Sequence, residues 1–416
     1  ATQRWIASGY GPTTDKTNLA VSATADPLGV WRGVQFAGVA AGEYADRPTL
    51  AVDRDGVYVA TTRFSAAQTF IRAMLHVIPK ADLLGGIPSL ARKTDFSLPN
   101  AGSLVPFVVQ GAVNRGLGGQ RGEFLTNNAH SGNLVRFTVD GVGGSSPTLS
   151  TLAPVFAGPL QLSSARARQP DGTRLVPTLD DLLTANVVRV GNRIFVVRTV
   201  HRTPLGSAVV NWQVIDATTG LLIDEGDLGG GGFDAYQGSI AVNDYGQAVV
   251  GYNRSSFQTA DVDDDGKPDG RISFLAQAFV TDAGGGLDPA GDPVVLRVSD
   301  VDDYRCGSHT LVSNCETRWG EASAVTIDPT DPRVFYAIGE TAAPWAIYPG
   351  GSSEFSVWQT YIARIRLVPE PGRGAGLVAG LGLMALLAGR RRGIDKSVGF
   401  RGETTSTVLS RPGARA

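Results

Sequence analysis

Three octapeptides far apart in the chain can be laid over one another, and this constrains the fold more than any other feature. Asp46-Arg47-Pro48-Thr49-Leu50-Ala51-Val52-Asp53 aligns with Tyr236-Gln237-Gly238-Ser239-Ile240-Ala241-Val242-Asn243 and with Glu321-Ala322-Ser323-Ala324-Val325-Thr326-Ile327-Asp328. Each ends a short apolar or β-branched run at an Asx residue, and a turn follows: Asp53-Arg54-Asp55-Gly56, Asn243-Asp244-Tyr245-Gly246, Asp328-Pro329-Thr330-Asp331-Pro332. Val214-Ile215 closes in the same way at Asp216-Ala217-Thr218-Thr219-Gly220. Asx side chains bond to backbone N–H groups two residues on, and Gly accepts positive φ, so these segments read as hairpins. Stretches with a 3.6-residue apolar period are missing; the best helical candidate is a turn or two near Ala73–Leu84. The chain is therefore expected to be all-β. Repeated short antiparallel strands at about 40–50 residues per unit predict a β-propeller. The 345 residues of 22–366 divide into about seven blades, and six or eight also fit. A pair of β-sandwich domains gives the same hairpin signals and is the competing architecture.

Composition agrees. Of 416 residues, 53 are Gly and 23 Pro, charged residues make up only 18%, and a hydrophobic share of 42% is ample for a large core. A formal net charge of −2 excludes a nucleic-acid binder that works by bulk charge. That total hides a split. Residues 372–416 carry seven Arg and one Lys against Asp395 and Glu403, a surplus of six, which leaves the rest of the chain at −8. An acidic body with a basic tail points to a membrane address.

Residues 1–21 read as a polar mature N-terminal segment, as left by signal-peptide removal or by a fragment boundary. The other end is more specific. A linker, 367–373, holds Pro369-Glu370-Pro371; Gly374 to Gly389 (GAGLVAGLGLMALLAG) is uncharged, and Arg390-Arg391-Arg392 follows. As a helix the uncharged stretch would span about 24 Å, short of the ~30 Å hydrocarbon core, a gap that snorkelling Arg side chains can close. The Arg cluster would stay cytoplasmic, with the body across the membrane. This order of Pro-Glu-Pro motif, transmembrane helix (374–392 with its Arg cluster) and basic stop closely resembles the PEP-CTERM sorting signal of Gram-negative bacteria. The resemblance implies export, transient anchoring in the inner membrane, recognition by the membrane enzyme exosortase, and a final place in the envelope, at the outer surface or outside the cell. The family usually ends at the Arg cluster, whereas here a polar tail, 393–416, continues and is expected to be disordered.

Cys306 and Cys315 are the two cysteines and enclose an eight-residue loop; in an oxidising compartment they are expected to form a structural disulfide. The sharpest local motif is Asp261-Val262-Asp263-Asp264-Asp265-Gly266-Lys267-Pro268-Asp269. Alternate Asp residues around a Gly turn gather the hard oxygen ligands that Ca²⁺ requires, with Asp261, Asp263, Asp265 and Asp269 as the ligand set and a structural role expected. The motif resembles the DxDxDG loops of dockerins and integrin-type propeller repeats. It departs from an EF-hand where the bidentate Glu belongs, because Ile272 stands there. A solvated acidic loop is the competing reading.

The run from Ser22 to Trp31 with Asp26, Gly29 and Trp31, then Asp46-Arg47-Pro48, then Arg318-Trp319-Gly320-Glu321, is similar to exported bacterial propellers of sialidase-like architecture, the first run resembling a degenerate Asp-box. A sialidase needs an Arg clamp for the substrate carboxylate, a Tyr–Glu pair and an Asp acid. Asp46, Arg47, Tyr236, Arg318 and Glu321 are the candidates, at strand-leading positions expected to converge on one propeller face. Gly229–Gly232 lacks the Lys of a P-loop and reads as a turn, and His76, His130, His201 and His309 show no metal-ligand spacing. Trp31, Trp212, Trp319, Trp345 and Trp358 would stack on sugars or fill blade cores. Two functions follow. The favoured one is a non-catalytic, surface-routed propeller that binds polysaccharide or another envelope component; the other is a sialidase-like glycoside hydrolase with the same address.

Overall fold

The computed structural model describes residues 4–11, 16–37, 42–114, 121–128, 131–144, 146–155, 166–172, 175–178, 182–202, 206–303, 319, 323–347 and 354–367. Within them six antiparallel meanders follow one another along the chain. The first holds β1 (Ile6–Gly11), β2 (Lys16–Ser22) and β3 (Trp31–Ala37). The second holds β4 (Glu43–Val52), β5 (Gly56–Ser65), β6 (Phe70–Pro79) and, after the short helix α1 (Lys80–Leu84), β7 (Thr94–Ser97). The third is β8 (Pro106–Asn114), β9 (Gly122–Asn128), β10 (Ser131–Asp140) and β11 (Thr148–Val155). A small pair, β12 (Arg166–Ala167) with β13 (Val176–Pro177), precedes the fourth meander: β14 (Val187–Val190), β15 (Arg193–Arg202), β16 (Ser207–Asp216) and β17 (Leu222–Leu228). The fifth is β18 (Asp234–Val242), β19 (Gln247–Ser255) and β20 (Ser273–Thr281), with β21 (Leu287–Pro289) and β22 (Val294–Val298) both pairing β20. The sixth is β23 (Ala324–Ile327), β24 (Val334–Ile347) and β25 (Glu354–Arg366).

The first strands of consecutive meanders meet. β8 and β14 pair in parallel, Val187 opposite Ala112 and Arg189 opposite Asn114. Thr49 Oγ1 donates to Val109 O at 2.7 Å, which ties β4 to β8, and Ser323 Oγ donates to Gln237 O at 2.6 Å, which ties β18 to the start of β23. All six leading segments line one central cavity. Meanders with their first strands around a common centre are the blades of a β-propeller. The six among the described residues lie within the expected six to eight, at its lower end, because turns and loops make the units longer and less equal than division by a fixed length assumes. The first blade begins at Ile6, so the expected N-terminal segment 1–21 supplies β1 and most of β2. The 73–84 candidate is helical only at Lys80–Leu84; Ala73 to Pro79 belong to β6, which pairs with β5 and β7 and buries Ala73, Leu75 and Val77 in the core shared with the third blade.

Inner and outer strands read differently for a physical reason. β16 and β18 are buried almost throughout, since blades pack on both faces, while the edge strand β17 alternates half-buried and exposed residues. An aromatic ring fills the gap between successive blades. Tyr58 meets Phe124 edge to face at 5.0 Å, and Trp212 meets Phe279 at 5.6 Å. Gly226 lets the Trp212 ring approach its own sheet, for a Cβ there would lie 2.5 Å from the indole. The Asx turns close as the sequence implies: Asp53 Oδ1 accepts from Asp55 N and Gly56 N, Asn243 Oδ1 from Tyr245 N, and Asp328 Oδ1 from Thr330 N.

Candidate functional site

The central cavity has a volume of about 490 Å³. Its lining is the repeat itself: Thr49 and Leu50 from β4, Ser239 and Ile240 from β18, Ala324 and Val325 from β23, the same two repeat positions three times. Ser8, Gln110, Thr184 and Asn186 add polar groups from the other blades, and no titratable side chain lies among the described lining residues. Several of these donors are spent inside the protein, such as Gln110 Nε2 on Leu183 O at 2.8 Å. The Ser239 and Thr184 hydroxyls, by contrast, are shielded from solvent and have no hydrogen-bond partner among the described residues. A buried hydroxyl without a partner costs roughly 1–3 kcal/mol, which a side-chain rotation toward a ligand hydroxyl in the cavity would recover.

A β-bulge decides which repeat residues face this cavity. Register shifts between Asp46 and Thr49 in β4, and between Tyr236 and Ser239 in β18. The second residue of each bulge, Arg47 (φ 50°) or Gln237 (φ 54°), takes the left-handed conformation. The bulge turns positions 49 and 239 inward and leaves 46 and 236 outside the lining. Asp46 is exposed, its Oδ1 accepting from Arg47 N at 2.8 Å. Tyr236 is fully buried in a cluster with Ile272, Trp319 and Ala342, its hydroxyl 3.2 Å from Ser255 Oγ, and burial drives its phenol pKa far above the usual range. Tyr236 is therefore a core residue, closed off from the propeller face on which it was expected to stand with Asp46. Arg318 and Glu321 lie outside the described residues, as do Cys306, Cys315, Pro369, Glu370, Pro371, Arg390, Arg391 and Arg392. Trp212 and Trp319 fill the core, while Trp31 and Trp358 reach solvent.

The acidic loop joins β19 to β20. Asp261, Asp263 and Asp265 each bring a carboxylate oxygen within 4.8 Å of the others. The backbone aims them: Asp261 accepts from Asp265 N at 3.1 Å and Gly266 N at 2.8 Å, and Asp265 accepts from Lys267 N at 2.9 Å. Asp264 and Gly266 have φ of 59° and 82°, the sharp turn such a loop needs. Asp269 Oδ1 turns toward Val262 N, 3.3 Å away, beside the trio. All-oxygen donors converging on one point fit a hard divalent cation. Ile272 is fully buried in the core cluster, which explains why no acid stands at that position.

Two buried polar groups escaped the sequence reading. His76 Nδ1 lies 2.7 Å from Asp95 Oδ1 and Nε2 lies 3.0 Å from Arg63 Nη2, an arrangement that a neutral imidazole satisfies by donating to Asp95 and accepting from Arg63. Burial pushes the His76 pKa down. Burial acts to raise the Asp95 carboxyl, but hydrogen bonds from His76 and Lys93 outweigh it and hold it at about 2. Glu123 is buried between Arg136 and Arg189. Nothing in sequence spacing marks either group, since their members come from different strands.

No protein-family model matches the sequence, and no curated protein matches it either. Among solved structures, a Trypanosoma rangeli sialidase mutant displaying trans-sialidase activity is similar at 9% identity and a TM-score of 0.38, covering 91% of this chain and 54% of that one. An endo-arabinase from Bacteroides thetaiotaomicron is similar at 11% identity and 0.34, covering 78% and 95%. The β-propeller domain of the trilobed protease from Pyrococcus furiosus gives 9% and 0.34, with 78% and 69% covered. The blade assignment rests on this chain's own strand pairing and central cavity.

Proposed function

We propose that this chain is an exported β-propeller that binds a neutral, hydroxyl-rich ligand of the saccharide class in its central channel, without transforming it. The observation that carries this reading is the pair of unpartnered hydroxyls, Ser239 Oγ and Thr184 Oγ1, in a neutral polar cavity of saccharide size. Leu50, Ile240 and Val325 offer the apolar surface on which a sugar ring packs. Calorimetric titration with neutral oligosaccharides tests it. Ser239→Ala and Thr184→Val are each expected to weaken binding by roughly 2–10-fold, the weight of one hydrogen bond. Undiminished affinity in both variants sinks the assignment.

A sialidase-like glycoside hydrolase is the second reading. It is favoured by the repeat, in which Glu321 aligns in sequence with Asp46 and Tyr236, the residues that open the bulges of β4 and β18. Turnover of aryl sialosides or other aryl glycosides by the same preparation, abolished by Glu321→Gln, would establish it and displace the binding reading.

The address is proposed from the C-terminal sequence alone. Residues 369–392 anchor the precursor in the inner membrane until exosortase acts near Pro369–Pro371. Deleting 369–416 is expected to leave a body-tagged protein that alkaline carbonate strips from membranes; a deletion product that resists carbonate extraction would refute the anchor.

A further inference from the structure

The turn between β2 and β3 carries a second surface. Leu28 is 93% exposed at its tip, with Val30, Trp31 and Trp5 also open to solvent. The two indole N–H groups are spent within the turn, Trp5 Nε1 on Ala25 O at 2.7 Å and Trp31 Nε1 on Pro27 O at 2.8 Å. Asp26 caps the same turn through Leu28 N at 2.9 Å. The tip is thus held in shape from three directions, and an exposed leucine presented on a rigid turn gains nothing for folding. A second tip stands beside it. Arg32 donates to Gly86 O, and Ile87, the next residue, is 86% exposed.

Between these tips lies a cavity of about 170 Å³ whose lining includes Arg4, Ser22, Arg32, Gly85 and Gly86. None of its lining residues is acidic. Arg4 donates to Ser22 O at 2.6 Å, and neither Arg4 nor Arg32 takes part in an ion pair among the described residues. Each guanidinium has five N–H donors, so both keep donors for a further partner. Asp26 in the turn and Asp82 on α1 are both engaged, with Leu28 N and with Arg92.

Aliphatic tips with tryptophan at their base, flanking a cleft that holds two unpaired cations, are the parts of an interfacial anchor. A neutral saccharide would have no use for Leu28 and Ile87, whereas an acyl boundary takes up protruding aliphatic side chains and its anionic headgroups match the two arginines. We propose that this edge of the first blade docks on a bilayer surface, with Leu28 and Ile87 entering the acyl boundary and Arg4 and Arg32 holding an anionic phosphate headgroup in the cleft. The inference does not rest on the channel reading.

The experiment is amide hydrogen exchange on the full chain, mixed with phosphatidylcholine vesicles with or without phosphatidylglycerol. Residues 23–32 and 85–88 are expected to exchange more slowly with the anionic vesicles. The Arg4→Gln/Arg32→Gln double variant is expected to lose about thirtyfold of that protection, the weight of two arginines near an anionic surface. Leu28→Ser/Ile87→Ser should abolish it, and near-ultraviolet circular dichroism verifies that the variant keeps its fold. Local readout separates this contact from membrane attachment through residues 374–389, which would leave both tips exchanging freely. Three outcomes overturn the proposal: no slowing at the tips, equal slowing on neutral and anionic vesicles, or slowing that appears without lipid as protein concentration rises, which would mark contact between copies of this chain.

Discussion

Glu123→Gln is expected to lower the unfolding free energy by about 3–5 kcal/mol, the usual cost of leaving a buried charge without its partner. Glu123 stands on β9 and accepts from Arg136 Nη2 of β10 at 3.0 Å; its other oxygen accepts from Arg189 of β14. It therefore joins the third blade to the fourth beside the parallel β8–β14 seam. Arg136 also donates to Ala217 O, and only 1% of its side chain is exposed. Loss of the carboxylate strands that guanidinium, whereas Arg189, with 19% exposed, can turn to water. Urea denaturation reads the change. Because the pair is desolvated, the loss should hold at high salt, unlike that of a surface ion pair. The double variant Glu123→Leu/Arg136→Met should recover most of the stability, since two apolar groups of similar size leave no orphaned charge. A Glu123→Gln midpoint equal to that of the wild type would show that the trio contributes nothing.

Calcium is expected to stabilise the protein by about 2.7 kcal/mol when its concentration is a hundred times the dissociation constant, and Asp263→Ala/Asp265→Ala should remove that gain. Without a cation three carboxylates crowd together, kept in place only by loop N–H groups. A bound ion converts that repulsion into attraction. The effect reaches the fifth blade because Lys267, inside the loop, bonds to Val298 O and Asp300, while Ile272 at its end packs against Tyr236 and Trp319. Thermal melts of wild type in calcium and in chelator should differ by several degrees, and those of the double variant should coincide. Coincident wild-type melts would leave the loop a solvated acidic turn.

The sequence alone determined the strands, their turns and their repeat. Alternation, β-branched runs and Asx–Gly closures are local, so Asp53, Asn243 and Asp328 turn the chain where their side chains reach the next N–H groups. The aspartates at 261, 263 and 265 were legible for the same reason, since neighbours within one loop must converge. Blade number was not, because it depends on how many sheets close around a centre. Nor was the facing of the repeat. One extra residue in β4 and β18 turns Thr49 and Ser239 into the channel and Tyr236 into the core, and a bulge is invisible to a two-residue period. The unpartnered hydroxyls of Ser239 and Thr184, the Glu123–Arg136–Arg189 trio and the Arg4–Arg32 cleft all join residues from separate strands or blades. Only tertiary packing sets the distances between such residues, because each lies far from its partner along the chain.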